Sequence, residues 1–280
     1  MTEPGPVQRA RDAQAEGDRE ELRDDRTVGS VDLTHWYTPW GRMLARLATR
    51  VGALLTARGA LLLTLLVGAA IALALSFIAS RIYDAITESD GVAGLDRPIL
   101  DAAIAARTPL LDALATGYTN VAGPIGMPII AVAAILILSL KRRSWTPLIL
   151  IAAAGLGSLL MTVAGKDIIG RSRPPLADAV PPYEYSPSFP SGHTLNATVI
   201  AGVIAYLLVL RQRSTHARVI TIAVAALFAV SIGLSRVFLG HHWFTDVLAG
   251  WVLGLAWLSL VITAHRLYLT TRHSNDPPET

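Results

Sequence analysis

His242 and Asp246 stand four residues apart in the stretch SRVFLGHHWFTD, residues 235–246. On a helix they share a face, and a carboxylate so placed fixes the imidazole tautomer and leaves the other ring nitrogen free to attack. The same pair also suits a proton relay or a plain hydrogen bond at a helix end. His241 has no partner at that spacing and reads as interfacial. Upstream, KDIIGRSRPP at residues 166–175 supplies Lys166 and Arg173. Arginine offers a planar fork for two phosphate oxygens and lysine a mobile point charge, so the two could clamp an oxyanion. Between these stretches lies FPSGHT, residues 189–194. There Ser191 suits an N-cap, Gly192 allows close backbone approach, and the unpaired amides of the following helix favour an anion. His193 would face that anion with an imidazole that exchanges a proton near neutral pH.

These residues must be positioned by a membrane chain. Of its 280 residues 52% are hydrophobic and 16% charged, well short of the roughly 25% charge of soluble domains. Six runs carry no Asp, Glu, Lys or Arg: residues 59–80, 113–140, 145–165, 194–210, 219–235 and 247–264. A crossing needs about 20 apolar residues, so the expected fold is all-α with six transmembrane helices. Residues 1–41 are polar and read as a disordered tail. Residues 42–58, with Arg42, Arg46 and Arg50 at helical spacing, read as a basic amphipathic interfacial helix. The six-span domain is expected over 59–267 and a short tail over 268–280. Residues 95–112, in the first outer loop, suit an interfacial helix.

Arginines and lysines fix the orientation. Arg58, Lys141–Arg143, Arg211–Arg218 and Arg266–Arg272 fall on one side, which the positive-inside rule makes cytoplasmic. Both termini then lie inside a cytoplasmic membrane, and the segments holding Lys166, Arg171, Arg173, Arg236 and the histidines face out. Cations on the disfavoured side are either snorkelling side chains or ligands for an anion. With no cysteine in the chain, disulfides and thiolate chemistry are excluded. No cluster of carboxylates suggests a magnesium site, so neither a metal nor a cofactor is expected.

Clamp, amide cradle, proton donor and His–Asp pair complement one another as parts for phosphoryl transfer through a phosphohistidine. Lys166 with Arg173-Pro174, Pro190-Ser191-Gly192-His193, and Ser235-Arg236 with His242 and Asp246 match, in order and spacing, a three-part signature. The chain thereby resembles the type 2 phosphatidic acid phosphatase family over about residues 90–265. The resemblance implies a helical, metal-independent membrane lipid phosphatase. It makes His242 the nucleophile, Asp246 its orienter and His193 the acid. Lys166, Arg173, Ser191, Gly192 and Arg236 would bind the phosphate, while Arg171 has no assigned place. The implied partners are a lipid phosphate and the bilayer, not nucleic acid. Undecaprenyl diphosphate ranks first among substrates, with phosphatidic acid and phosphatidylglycerophosphate as alternatives. Two competing readings are a vanadate haloperoxidase, which six spans disfavour, and a transporter or lipid-binding protein that does not hydrolyse. Gly250 and Gly254 form a GxxxG pair that could seat a homodimer or pack against a neighbouring run.

Overall fold

The computed structural model describes residues 20–54 and 92–273, together with isolated positions 8, 16, 17, 70, 71, 74, 75 and 77. The first apolar run therefore lies outside the described residues except at isolated positions, as do most of residues 1–19 and the last seven residues.

The described chain is helical apart from one two-stranded hairpin. In order come strands β1 (Thr27–Val28) and β2 (Val31–Asp32), then helices α1 (Pro39–Leu54), α2 (Asp96–Ala105), α3 (Pro109–Asn120) and α4 (Gly126–Arg142). Four long helices follow: α5 (Thr146–Ile169), α6 (Gly192–Arg211), α7 (Thr215–Phe238) and α8 (Phe244–His273). These four are long and apolar enough to cross a membrane. Their outward faces leave Leu156, Leu159, Val224, Leu227, Val252 and Leu255 exposed, which suits hydrocarbon rather than water as the surrounding solvent. The last helix continues past residue 267, where a tail was expected to start.

The second apolar run is not one helix. It is broken between α3 and α4 at residues 121–125, which include Gly123 and Pro124. Proline disfavours the helical conformation in the residue before it and has no amide to donate. The turn is tight enough that a Cβ on Gly126 would stand 2.5 Å from the carbonyl oxygens of Asn120 and Val121. Thr108 caps α3, accepting from Leu111 N at 3.3 Å, and α3 lies against α7.

Helix α6 is the centre of the bundle, packed by α5, α7 and α8. Leu195, Val199, Val203 and Leu207 are fully buried on it. The Gly250/Gly254 pair is used here. A Cβ on Gly250 would stand 2.9 Å from Thr194 Cβ, and one on Gly254 2.8 Å from Thr198 Cβ. Small residues thus let α8 approach α6 of the same chain, and this pair is not left over for a dimer. On α5, Gly157 faces the Trp257 ring, whose Nε1 donates to the Ala154 carbonyl at 3.2 Å.

The described part of the expected tail has structure. Asp25 is buried against Arg142 and Arg211, 3.3 Å from each. Burial pushes its carboxyl up to about 6 against the pull of those two arginines. Arg266 donates to Leu33 O at 2.9 Å and lies over the Trp36 ring, and Trp36 Nε1 donates to Thr270 Oγ1 at 3.0 Å. Val28 and Leu33 add apolar contact with the core. These few anchors, scattered through a polar stretch, hold it to the bundle despite a composition typical of disorder. Helix α1, beginning at Pro39 rather than residue 42, packs on α8.

Candidate active site

All three candidate segments meet at one end of the bundle. Lys166 lies in the last turn of α5, which stops at Gly170 in the left-handed conformation (φ 60°) and releases Arg171 and Arg173 into a loop. Arg236 lies in the last turn of α7. The turn after it needs glycine at 240: its φ is 70°, and a Cβ there would stand 2.3 Å from Asp178 O. That turn delivers His241 and His242 to the start of α8, where Asp246 occupies the first turn.

His242 and Asp246 are both buried. Asp246 Oδ2 stands 3.5 Å from His242 Nδ1, and on the opposite side of the ring Nε2 lies 3.2 Å from Arg173 Nη1. The carboxylate is itself held from several sides. Oδ2 accepts from Ser188 Oγ and from Trp243 N at 2.9 Å, and Oδ1 accepts from Arg171 Nη1 at 2.6 Å. Arg171 continues to Asp96 Oδ2 at 2.7 Å, and Asp96 accepts from the amide and hydroxyl of Thr245. Burial, reinforced by the charges of Arg173 and Arg236, holds the His242 imidazole well below the usual histidine range. It is therefore neutral near pH 7, as a nucleophile requires.

Beside it is a cationic cluster. Arg173 donates from Nε to Ser186 O at 2.7 Å and from Nη1 to His241 O at 2.6 Å. Its Nη2 pairs with Glu184 Oε2 at 2.8 Å. Arg236, only 2% exposed, pairs through Nη2 with the other oxygen of the same glutamate and reaches Thr119 Oγ1 at 3.4 Å; its Nε has no hydrogen-bond partner. Lys166 Nζ donates to Ser186 Oγ at 3.1 Å and to Pro187 O. Burial works to raise Glu184, but Arg236 and Arg173 outweigh it and draw the carboxyl down to about 2.

Lys166, Arg173, Arg236, His242 and Asp246 thus come together as the spacing suggested, with two differences of detail. Ser191 is the N-cap of α6 by position but not by hydrogen bond: its Oγ accepts from Thr194 Oγ1 at 2.9 Å, and its amide donates to Asp246 O at 3.1 Å. Gly192 is confined by packing, since a Cβ there would stand 3.0 Å from Thr162 Cγ2. His193, at the start of α6, lies beside the break between α3 and α4, where a Cβ on Gly123 would stand 3.4 Å from its Nε2. His241, read from the sequence as interfacial, does not face outwards. It is buried, its Nε2 2.6 Å from Val180 O and its Nδ1 without a partner.

The sequence left Arg171 without a place and gave no sign of Ser188, Asp96, Thr245 or Glu184: Arg171 and Ser188 donate to Asp246, Asp96 and Thr245 hold Arg171, and Glu184 bridges the two arginines. Asp96 and Arg171 are 75 residues apart, and no local period announces such a pair. Ser188 lies one residue before the FPSGHT stretch and was the most accessible of them to inspection. Among the described residues no group of three or more His, Cys, Asp or Glu side chains is placed to hold a metal ion.

Comparison with known proteins agrees with this geometry. The model of the PAP2 superfamily matches residues 129–268. Phosphatidylglycerophosphatase B of Bacillus subtilis (strain 168) is 38% identical over 188 residues, 66% of this chain and 90% of that protein. The crystal structure of a transmembrane PAP2 type phosphatidylglycerolphosphate phosphatase from Bacillus subtilis superposes with a TM-score of 0.62 at 30% identity, covering 73% of this chain and 97% of that one. The chain therefore belongs to the PAP2 superfamily, the type 2 phosphatidic acid phosphatases its motifs resemble, and is a membrane lipid phosphatase of that family.

Proposed function

We propose that the protein hydrolyses phosphatidylglycerophosphate through a phosphohistidine on His242, without a metal. The observation that carries the chemistry is the two-sided placement of the His242 ring, Nδ1 towards Asp246 and Nε2 beside Arg173. A phosphate held by Arg173, Arg236 and Lys166 would present phosphorus to Nε2. Attack forms the P–N bond and breaks the P–O bond to the lipid, and His193 protonates the leaving oxygen. His193 then takes a proton from water, which attacks phosphorus, frees inorganic phosphate and restores the neutral imidazole. The guanidinium and ammonium groups neutralise charge on the equatorial oxygens throughout. The Ser191 amide is taken by Asp246 O, so the donors that α6 adds to the same seat are those that follow it, from Gly192 on.

Undecaprenyl diphosphate, first in the ranking from sequence, gives way here to the alternative. Phosphatidylglycerophosphate is the substrate named both for the Bacillus subtilis match in sequence and for the Bacillus subtilis crystal structure, which supports it here. Six spans, an interfacial helix before α3, cytoplasmic termini and a site on the extracytoplasmic face complete the reading, with support from the placement of Arg142, Arg143, Arg211 and Arg266 at the end opposite the site. An apolar groove of about 340 Å³, lined by Leu111, Leu114, Ala115, Tyr118 and Phe238, adjoins the Thr119–Arg236 contact and offers a seat for a lipid tail. Purified protein in detergent with EDTA, assayed on phosphatidylglycerophosphate, phosphatidic acid and undecaprenyl diphosphate, should show the highest kcat/KM on the first. A preference for undecaprenyl diphosphate would overturn the substrate assignment, and a strict need for added metal would overturn the mechanism.

A further inference from the structure

Glu184 places one carboxylate oxygen on Arg173 and the other on Arg236. A phosphate gripped by both arginines needs those same N–H groups, so carboxylate and phosphate cannot hold the clamp together. The glutamate is 30% exposed at its side chain, against 9% for Arg173 and 2% for Arg236. Its backbone segment is pinned at both ends. Val180 N donates to Leu239 O at 2.9 Å and Val180 O faces His241, while Ser186 O accepts from Arg173 Nε and Ser188 N donates to Arg171 O at 2.8 Å. Between the pins Tyr183 and Tyr185 are exposed. The carboxylate can therefore swing towards solvent without unpacking the bundle.

We propose that Glu184 is an internal substitute for the substrate phosphate, neutralising Arg173 and Arg236 while the site is empty and displaced when a phosphate arrives. A guanidinium as enclosed as that of Arg236 would otherwise be a buried charge without an anion. Displacement sets a threshold: a ligand must outcompete the carboxylate for both arginines, which favours a dianionic phosphate over a singly charged headgroup. After displacement the two anions repel at short range, and Glu184 resides outside the clamp during turnover. The proposal rests on the assignment of Arg173 and Arg236 to phosphate binding made above.

The test is binding of inorganic phosphate to the full-length protein in detergent, read by calorimetry and by thermal shift, for wild type and Glu184→Gln. An internal competitor that fills the seat about 90% of the time weakens apparent affinity about tenfold. Glu184→Gln is therefore expected to tighten phosphate about tenfold, and to lower KM for phosphatidylglycerophosphate more than it changes kcat. Glu184→Asp keeps the charge on a shorter arm that cannot span both arginines, and should tighten phosphate by an intermediate factor; it gives the reading should the glutamine variant not fold. Unchanged or weaker phosphate binding in both variants overturns the proposal, leaving Glu184 a structural ion-pair partner. The phosphate measurement needs no turnover, so tightened binding in a protein that hydrolyses no lipid phosphate would sink the proposed function and not this inference.

Discussion

At the scale of single residues, the site is a chain of dependencies that ends on one nitrogen. His242 Nε2 is available because Nδ1 faces Asp246, and Asp246 is held because Ser188, the Trp243 amide and Arg171 all donate to it. Truncating His242 to Ala should lower kcat by at least about 10⁴-fold while leaving the melting temperature of the protein little changed. Arg171→Gln should act differently. It touches no atom expected to meet substrate, so kcat should fall about 10- to 100-fold with KM held within twofold. A proportional rise in KM would instead place Arg171 among the phosphate ligands. That His242, Asp246, Lys166, Arg173 and Arg236 form one group was legible because they lie at fixed spacings within short segments. Arg171 and Asp96 were not, since the meaning of each depends on a tertiary partner far along the chain. Glu184 was hidden for another reason: nothing local distinguishes a glutamate that bridges two arginines from one in an ordinary polar loop.

At the scale of elements, glycines and a proline decide how the helices are cut and how closely they approach. Composition alone made residues 113–140 a single span, yet Gly123-Pro124 divides it into α3 and α4 and so brings Thr119 to Arg236. The periodic signal of an apolar helix does not register a five-residue break, because the residues on both sides remain apolar. The GxxxG pair was visible in the sequence but its partner was not; the close approach of Thr194 and Thr198 identifies it as α6. Gly254→Leu should therefore destabilise the fold by about 1–3 kcal/mol through overpacking, read as a lower melting temperature with no change in oligomeric state. The loop carrying Glu184 makes a prediction in pH. Its folded pKa, about 2, lies below the ordinary 4.5. The stability it contributes is thus fully present above about 4.5 and is lost as pH falls towards 2. Between those limits Glu184→Gln should flatten the pH dependence of the melting temperature relative to wild type. An unchanged slope would mean the pairing contributes nothing to the folded state.

At the scale of the whole molecule, cations mark both ends of the bundle for different reasons. Those at the end opposite the site hold the N-terminal segment, Arg142 and Arg211 through Asp25 and Arg266 through Leu33 O and the Trp36 ring. Those at the site end surround the seat proposed for phosphate. A cysteine in place of Ala177 should react with an impermeant reagent added outside intact cells, and one in place of Ser214 should be protected; the reverse pattern would invert the proposed orientation. The helical class and the membrane setting were legible from composition, because 52% hydrophobic content distributed in charge-free runs admits few other folds. The hold of the N-terminal segment was not, because it depends on Asp25 and on apolar contacts from Val28 and Leu33 in an otherwise polar stretch. On the proposed mechanism His242 carries the phosphoryl group. This is tested most directly by quenching labelled phosphatidylglycerophosphate turnover in EDTA and mapping the acid-labile, base-stable label, using His193→Ala to slow hydrolysis of the intermediate. Label is expected on the peptide containing His242 and not in His242→Ala; label on another residue, or turnover that persists without His242, would assign the nucleophile elsewhere.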